Sequence, residues 1–323
     1  MNFFTKIDIP AADFKIDYTS HLAFFGSCFA DNISALFAER KFNVLANPFG
    51  TVYNPVSLAC QVKAIADGKV FGEEDVFQDT RCDGLWHCWD AHSSLSGATK
   101  EECIGKLNAA ATQARDFLKK ANVIFITLGS AFVYSLNGNV VANCHRQDPR
   151  QFERRLISVD KAAEAIQRIV ALLRDMNRDA RIVFTVSPIR HLGNGAHGNN
   201  LSKATVQLAI NKEIATSPLA PRNDTVDYFP SYEIVMDELR DYRFYSDDMI
   251  HLSKTAEEYI FERMVDTYCS ETTRADIARV EKFMKMANHR IQDENSPATQ
   301  ELKKKLASHA AELERQITGL KLG

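Results

Sequence analysis

The amino-acid sequence predicts an α/β fold: a three-layer α/β/α sandwich around a five-stranded parallel sheet, followed by a C-terminal helical hairpin. Three observations support this prediction. Five short apolar segments alternate with amphipathic helical segments, as in a sheet whose strands are joined by right-handed crossovers. One segment, residues 123–128, is a continuous apolar run, which is typical of a parallel strand buried on both faces. Loops of unusual composition follow the strands, at the edge where such sheets hold their sites.

Composition and charge narrow the class of protein. The 323 residues suffice for one large α/β domain with an appendage, and a hydrophobic content of 45% can fill its core. The formal net charge is −3 and no long basic run occurs, which argues against nucleic acid or an anionic membrane surface as a partner. No apolar segment is long enough for a membrane span or a signal peptide. Seven cysteines, an odd number, favour reduced thiols, so we expect a cytoplasmic protein.

The first strand and helix meet at a turn that contains a serine. Residues 21–25 are apolar, and residues 30–41 carry apolar side chains at helical spacing. Gly26 and Ser27 therefore lie where the backbone N–H groups of a helix start are free to bind an anion. Ser27 is either a nucleophile or an N-cap residue after a glycine turn. Cys28 is a rival nucleophile, but we expect its thiol to pack inward.

The remaining elements follow in order along the chain. Further strands are predicted at residues 42–45, 123–128, 181–186 and 224–229. Helices are predicted from Pro55 onward, after Ser253, and at residues 101–120, 159–174, 202–215 and 231–240. Residues 71–97 are aromatic and polar without a clear period. They form either a long loop over the functional edge of the sheet or a small hairpin.

The C-terminal segment has a different pattern, so we divide the chain into a main domain, residues 1–270, and a helical extension, residues 271–323. One apolar stripe at helical spacing consists of Ile277, Val280, Met284, Ala287 and Ile291. After a break at Ser296-Pro297, a second stripe consists of Leu302, Leu306, Ala310, Leu313, Ile317 and Leu320. This pattern predicts an antiparallel hairpin or a coiled-coil contact. The helices either pack on the main domain or join protomers into a homo-oligomer.

A loop after the fifth strand contains two residues suited to acid–base chemistry. Asp248 precedes His251 by three residues, so a single bend can aim the carboxylate at the far nitrogen of the imidazole. Acyl transfer by serine needs such a base and carboxylate, and this loop is expected at the same sheet edge as Ser27. The alternative is a surface aspartate and a histidine that merely precedes a helix.

Other reactive side chains have weaker patterns. The potential metal ligands in this part of the sequence are Cys82, His87, Cys88 and His92, but their spacing matches no standard zinc pattern. We therefore expect no metal and no cofactor. Cys144 and His145 are adjacent, and sequence neighbours rarely have the mutual geometry of a catalytic dyad.

Several motifs together resemble one known family. Residues 26–30 read GSCFA, the pentapeptide that names the GSCFA domain family, whose members belong with the SGNH or GDSL-like hydrolases. The chain is similar to the same family at residues 47–55 (NPFGTVYNP), 128–134 (LGSAFVY), 143–145 (NCH), 187–191 (SPIRH) and 197–203 (HGNNLSK). The resemblance covers roughly residues 24–261 and implies a flavodoxin-like α/β/α fold with an esterase-like mechanism.

The resemblance also implies roles for individual residues. Ser27 corresponds to the SGNH nucleophile, Gly50 to the oxyanion glycine, and Asp248 with His251 to the remaining pair of the triad. The chain departs from the pattern at Ala131, because SGNH enzymes carry Gly-x-Asn after the central strand. An oxyanion donor is thus missing from its usual place, and either the Asn54 amide or the Ser130 hydroxyl could replace it.

We therefore expect a serine esterase that removes a short acyl group such as acetyl from a carbohydrate or similar alcohol. The backbone N–H groups of Ser27 and Gly50, with Asn54, would hold the oxyanion. Substrate-binding residues are expected among the polar and aromatic side chains of the loops, namely Arg190, His191, Ser130, His145 and residues 86–92. An acyltransferase uses the same chemistry with a second hydroxyl in place of water. A non-catalytic glycan- or protein-binding module is the other alternative, and the altered third motif favours it.

Overall fold

A computed structural model of the chain describes residues 4–215, 226–288 and 297–322. The strands are β1 (His21–Gly26), β2 (Asn43–Ala46), β3 (Phe77–Gln78), β4 (Trp86–His87), β5 (Val123–Leu128), β6 (Phe132–Leu136), β7 (Asn139–Val141), β8 (Phe152–Leu156), β9 (Arg181–Val186) and β10 (Val226–Tyr228). The helices are α1 (Cys28–Glu39), α2 (Pro55–Asp67), α3 (Lys100–Leu118), α4 (Val159–Met176), α5 (Gly195–Ala215), α6 (Ser231–Glu233), α7 (Lys254–Tyr268), α8 (Glu271–Ala287) and α9 (Pro297–Gln316).

The main sheet confirms the predicted fold class. Its five strands are parallel and lie in the order β10-β9-β5-β1-β2. Phe24 of β1 is paired with Phe125 of β5, and all six residues of β5 are buried. The order is flavodoxin-like, and the direction of winding reverses between β1 and β5. The loops that follow these two strands therefore flank the crevice where such sheets bind ligands.

Alternate side chains of the strands face two separate hydrophobic layers. Phe25 and Ile126 pack in a cluster formed with α2, α3, α4 and α5 on one face of the sheet. Phe24 and Phe125 pack in a second cluster with α1, α7, α8 and α9 on the other face. The side chains of the inner strands β1, β5 and β9 are thus almost all buried against helices, which explains why these strands are continuous apolar runs.

The predicted bounds agree with the structure to within a few residues, with two differences. Helix α5 begins at Gly195, seven residues before its predicted start. The segment predicted as one helix over residues 231–240 is α6 followed by a π-helical turn, Ile234–Glu238, in which the Leu239 N–H donates to the Ile234 carbonyl. The predicted first residue of the fifth strand, Asp224, lies outside the described residues.

A second, antiparallel sheet follows β5 and was not predicted. Its three strands lie in the order β7-β6-β8. Strands β6 and β7 are joined by Asn137 and Gly138, both with positive φ, as in a tight β-hairpin. Within residues 71–97, β3 and β4 pair as a small hairpin, which was one of the two predicted alternatives.

The C-terminal helices form the predicted hairpin. Phe283 of α8 contacts His309 of α9, and Arg279 bonds to Gln316, so the two helices run antiparallel. Apolar residues of both stripes are buried in the same cluster as α1, namely Ile277, Val280, Leu313, Ile317 and Leu320. Ile291 and Ser296 lie outside the described residues. Within the described ranges, every helix is too short or too polar to cross a lipid bilayer.

Candidate active site

The turn between β1 and α1 has a conformation that requires glycine. Gly26 has φ +124°, and a side-chain carbon at this residue would lie 2.0 Å from the Thr127 carbonyl oxygen. The Gly26 N–H donates to the Asn47 side chain at 2.7 Å, and the Asn47 amide donates in turn to Asp31 at 2.6 Å. These bonds fix the turn, so Ser27 has a defined position at the start of α1.

Ser27 occupies the N-cap position of α1 without acting as a cap. Its side chain makes no capping hydrogen bond, and its Oγ has no partner among the described residues. The residue is only 1% exposed. A buried hydroxyl without a partner costs ~1–3 kcal/mol, whereas a capping hydroxyl would stabilise the helix. The N-cap alternative therefore does not account for this serine.

A second unpaired polar atom lies beside Ser27. The Nε2 atom of His191 is buried and has no hydrogen-bond partner within the described ranges. A side-chain carbon at Gly129 would lie 3.2 Å from this Nε2, 3.3 Å from the Tyr53 ring and 3.5 Å from the Ser27 Cβ. The serine and the imidazole thus flank a small space that exists because residue 129 is glycine.

The surroundings of His191 keep its imidazole neutral. Burial lowers its pKa to about 4, and the positive charges of Lys203 and His251 act in the same direction. Lys203 is itself 1% exposed and donates from Nζ to the Ser187 carbonyl at 2.6 Å. Burial lowers the Lys203 pKa to about 7. At neutral pH the His191 ring therefore carries one proton, on one of its two nitrogens.

The loop before α7 holds Asp248 and His251 as the spacing suggests. The Asp248 Oδ2 lies 2.6 Å from the His251 Nδ1, and its Oδ1 accepts two backbone N–H groups at 2.9 Å. These bonds lower the pKa of Asp248 to about 2. The His251 side chain is 49% exposed, and its orientation leaves Nε2 as the nitrogen that can accept a proton.

Ser27 and His251 are not hydrogen-bonded to each other, since the Ser27 Oγ bonds to none of the residues that the structure describes. Contacts between their elements nevertheless bring the loop near α1. Asn32 of α1 donates to Glu257 in the first turn of α7, directly after the loop. The charge of His251 also acts on His191, which borders the space beside Ser27.

A cavity of about 440 Å³ shares Tyr53 and His191 with this space, and Ser27 is not among the residues that line it. Asn54, Ser130 and His191 line it, together with side chains of the antiparallel sheet. In that wall the Arg154 guanidinium lies 4.3 Å from the centre of the Phe132 ring. Since the sheet was not predicted, its contribution to the cavity was missed. The Asn-Gly turn between β6 and β7 was the signal that could have revealed it.

The backbone donors predicted for the oxyanion have partners within the fold. The Ser27 N–H donates to the Thr127 carbonyl at 3.1 Å, and the Gly50 N–H donates to the Asn47 carbonyl at 2.7 Å, so the prediction for these two N–H groups is corrected. The Asn54 Oδ1 accepts the Ser57 N–H at 2.8 Å, and its Nδ2 donates one of its two hydrogens to the Ser57 hydroxyl at 3.1 Å. Asn54 also lines the cavity described above, so its role as a donor stays a prediction.

Two of the predicted substrate-binding residues bond within the fold. The Ser130 hydroxyl lies 3.1 Å from the Ser202 hydroxyl and accepts the Phe132 N–H at 3.0 Å, so it holds the turn after β5. Arg190 contacts Asn200 and Met236. Ser130 still borders the cavity, whereas Arg190 is directed toward α5 and the π-helical turn.

His145 is a buried structural histidine, and its predicted place on the substrate surface is corrected. The residue is 4% exposed, its Nε2 bonds to the Cys88 carbonyl at 2.8 Å, and its Nδ1 bonds to Ser93 at 3.1 Å. Its ring stacks on His87 with 4.4 Å between centroids. Burial lowers its pKa to about 4. Trp89 stacks on Phe77 in the same aromatic group, which supports the loop.

The cysteines do not provide a better nucleophile. Cys28 packs against the cluster around α1, as predicted. Burial and the nearby Asp31 carboxylate raise the pKa of its thiol, which disfavours the reactive thiolate. Burial likewise raises the pKa of Cys144.

One group of potential metal ligands occurs within the described ranges, and it differs from the set considered above. Oxygen and nitrogen atoms of Asp79, Asp83 and His87 lie within 4.8 Å of one another. Asp79 accepts two backbone N–H groups of the turn that follows it, and both ring nitrogens of His87 are hydrogen-bonded. These bonds account for the group as part of the loop fold.

Comparison with known proteins gives one extensive match. The chain matches the GSCFA family over residues 21–264. A carbohydrate esterase family 3 protein from Talaromyces cellulolyticus is similar in structure at 10% identity and a TM-score of 0.29, covering 52% of this chain and 66% of that one. An acetyl xylan esterase from the rumen bacterium Butyrivibrio proteoclasticus is similar at 13% identity and a TM-score of 0.35, covering 80% and 64%. The chain thus spans slightly less than two thirds of each of these two proteins. No curated protein matches the sequence.

Proposed function

The chain belongs to the GSCFA family, and from this membership and the geometry at the sheet edge we propose that it is a serine esterase. The observation that supports the proposal most strongly is the environment of the Ser27 hydroxyl. This serine begins a helix at the winding reversal of the sheet, yet its hydroxyl neither caps the helix nor has another partner in the part of the chain that the structure describes. A hydroxyl held in that state at a helix N-terminus is suited to attack a carbonyl carbon.

The proposed reaction is a two-step acyl transfer. The Ser27 Oγ attacks the ester carbonyl while His251 Nε2 takes up the hydroxyl proton, and Asp248 orients the imidazole and stabilises its positive charge. The tetrahedral intermediate expels the alcohol, which receives that proton from His251. Water then attacks the acyl-enzyme with His251 again as base, releasing the acid and restoring Ser27. This sequence requires Ser27 and His251 to reach hydrogen-bond distance, about 2.6–3.2 Å, in the substrate complex.

The cavity supports a small or carbohydrate ester as the substrate. Its volume, about 440 Å³, lies within the usual range of small-molecule sites. Rings of Tyr53, Phe132 and Tyr134 border it, and aromatic faces suit the apolar face of a sugar. We propose that the acyl group is short, with acetyl as the first candidate, because the space beside Gly129 is narrow.

The test is the hydrolysis of p-nitrophenyl acetate and the release of acetate from an acetylated sugar. We expect Ser27→Ala to abolish both activities and Ser308→Ala, an exposed position on α9, to leave them unchanged. A fluorophosphonate probe should label Ser27 in the wild-type protein. Equal rates for wild type and Ser27→Ala would refute the proposal and favour a binding module, and labelling at Cys28 would transfer the nucleophile role to that residue.

A further inference from the structure

We propose that His191 is an oxyanion donor of this enzyme: its Nε2–H binds the carbonyl oxygen of the ester as that oxygen becomes negative. The inference rests on the proposed esterase function. It assigns to His191 the role that SGNH enzymes give to an asparagine at the position of Ala131, whose methyl group cannot donate a hydrogen bond.

Most donors predicted for the oxyanion near Ser27 have partners within the fold. The backbone N–H groups of Ser27 and Gly50 donate to carbonyl oxygens. The Asn54 Nδ2 donates one of its two hydrogens to the Ser57 hydroxyl, and the Ser130 hydroxyl is bonded to Ser202. At most one N–H of Asn54 is left among these groups, whereas oxyanion stabilisation generally uses several donors, so a further donor is needed.

His191 lies beside Ser27, across the space at Gly129. Its Nε2 and the Ser27 Cβ both lie within 3.5 Å of the point where a side chain of Gly129 would begin. The Ser27 Oγ and the His191 Nε2 are both buried, and neither has a hydrogen-bond partner among residues 4–215, 226–288 and 297–322. Two such atoms around one small space are explained if a third group, absent from the free protein, enters it and bonds to both. A carbonyl group does this, since Ser27 attacks its carbon and His191 contacts its oxygen.

A donor and a base need different surroundings. His251 has a carboxylate partner in Asp248, whereas Lys203 and His251 both disfavour a positive charge on His191. A base must become positively charged, and these neighbours oppose that change. A neutral imidazole with its proton on Nε2 instead donates a hydrogen bond without titrating. No proton moves to or from His191 in either step of the reaction.

The fold also holds the ring in a fixed orientation. The His191 backbone N–H donates to the Asn199 side chain at 2.9 Å. The Tyr53 ring packs edge-on against the imidazole, with 5.1 Å between the two ring centroids. A donor that is oriented before substrate binds needs no reorganisation when charge develops. We therefore expect the contribution of His191 to appear in kcat.

The experiment compares His191→Phe, His191→Ala and His191→Gln with wild type, using p-nitrophenyl acetate over a range of pH. Phenylalanine and alanine remove the donor, and glutamine restores an N–H. We expect the first two variants to lower kcat by ~10²–10³ with little change in KM, and His191→Gln to recover part of the loss. The acidic limb of the pH profile should stay unchanged, because His191 keeps its proton throughout the proposed reaction. The control, His197→Phe, changes an exposed histidine at the start of α5 and should behave as wild type.

The outcomes separate this inference from the proposed function. If Ser27→Ala is inactive while His191→Phe and His191→Ala retain wild-type kcat, the esterase function stands and the donor role is wrong. If the His191 variants remove the acidic limb, His191 is the base and the inference is overturned. If Ser27→Ala is as active as wild type, the proposed function itself fails, and the inference fails with it. Circular dichroism and thermal unfolding identify a variant that does not fold. The test of the donor role then rests on the variants that do fold.

Discussion

Substituting Gly129 with alanine places a methyl group in the space between Ser27 and His191. The new carbon would lie 3.2 Å from His191 Nε2 and 3.3 Å from the Tyr53 ring, slightly closer than an ordinary van der Waals contact. Gly129 does not have a positive φ, so alanine fits its backbone conformation without strain. The variant therefore tests the space itself rather than the backbone.

The expected effects on stability and on activity differ in size. Crowding a packed site typically lowers the free energy of unfolding by ~1–3 kcal/mol. Replacing glycine by alanine in a compatible conformation raises it by ~0.4–1 kcal/mol, because the unfolded chain has less conformational entropy. The variant should thus remain folded, destabilised by no more than ~2.6 kcal/mol. Activity should fall by ~10²–10³, equal to ~2.7–4 kcal/mol of transition-state stabilisation, because the methyl occupies the place proposed for the carbonyl oxygen.

The assay is hydrolysis of p-nitrophenyl acetate, paired with urea unfolding of the same preparation. Gly105→Ala is the matched control, because Gly105 lies within α3 and nothing surrounds the position of its missing side chain. It should gain up to ~1 kcal/mol of stability and keep full activity. A Gly129→Ala variant with wild-type kcat would show that the substrate does not use this space, and the reasoning about both Ser27 and His191 would be wrong.

Three further predictions follow from other parts of the structure. Gly26→Ala should lose ~3 kcal/mol of stability or more, measured by urea unfolding, because its new side chain meets the Thr127 carbonyl and its φ is positive. Asp248→Asn should lower kcat by ~10⁴ in the ester assay with an unchanged fold, because the amide cannot stabilise a protonated His251; an unchanged kcat would exclude the triad. The stability of the wild type should fall as pH decreases from 6.5 toward about 4, because His145 has a folded pKa of about 4 and the unfolded chain takes up the proton first. His145→Gln should flatten that dependence in unfolding titrations, and an unaltered slope would contradict the assignment.

The sequence predicted the elements that depend on local patterns. The parallel strands could be predicted because each is an apolar run. The position of Ser27 could be predicted because Gly26 and Ser27 separate such a run from a helical pattern. The pairing of Asp248 with His251 was found because it spans only three residues. Each of these signals lies within one short stretch of chain.

His191 was predicted as a substrate-binding residue, but the donor role proposed for it could not be predicted in the same way. Its proximity to Gly129 depends on how β5 and β9 are paired in the sheet, and side-chain direction decides whether it faces solvent or Ser27. His145 was assigned to the substrate surface because it lies in an aromatic, polar loop, but both of its ring nitrogens are used inside that loop. The antiparallel sheet was missed because β8 contains the charged run Glu153-Arg154-Arg155.

The helix that starts at Ser27 has consequences for the order in which this protein can fold. Its buried face, including Phe29 and Phe37, shares one cluster with Tyr18 near the beginning of the chain and with Leu313 near the end. Gly319 approaches Tyr18 so closely that any side chain there would meet the Tyr18 carbonyl at 2.6 Å. The cluster that supports α1 therefore joins segments far apart in sequence, so we expect it to be completed only after residues of α9 have been synthesised.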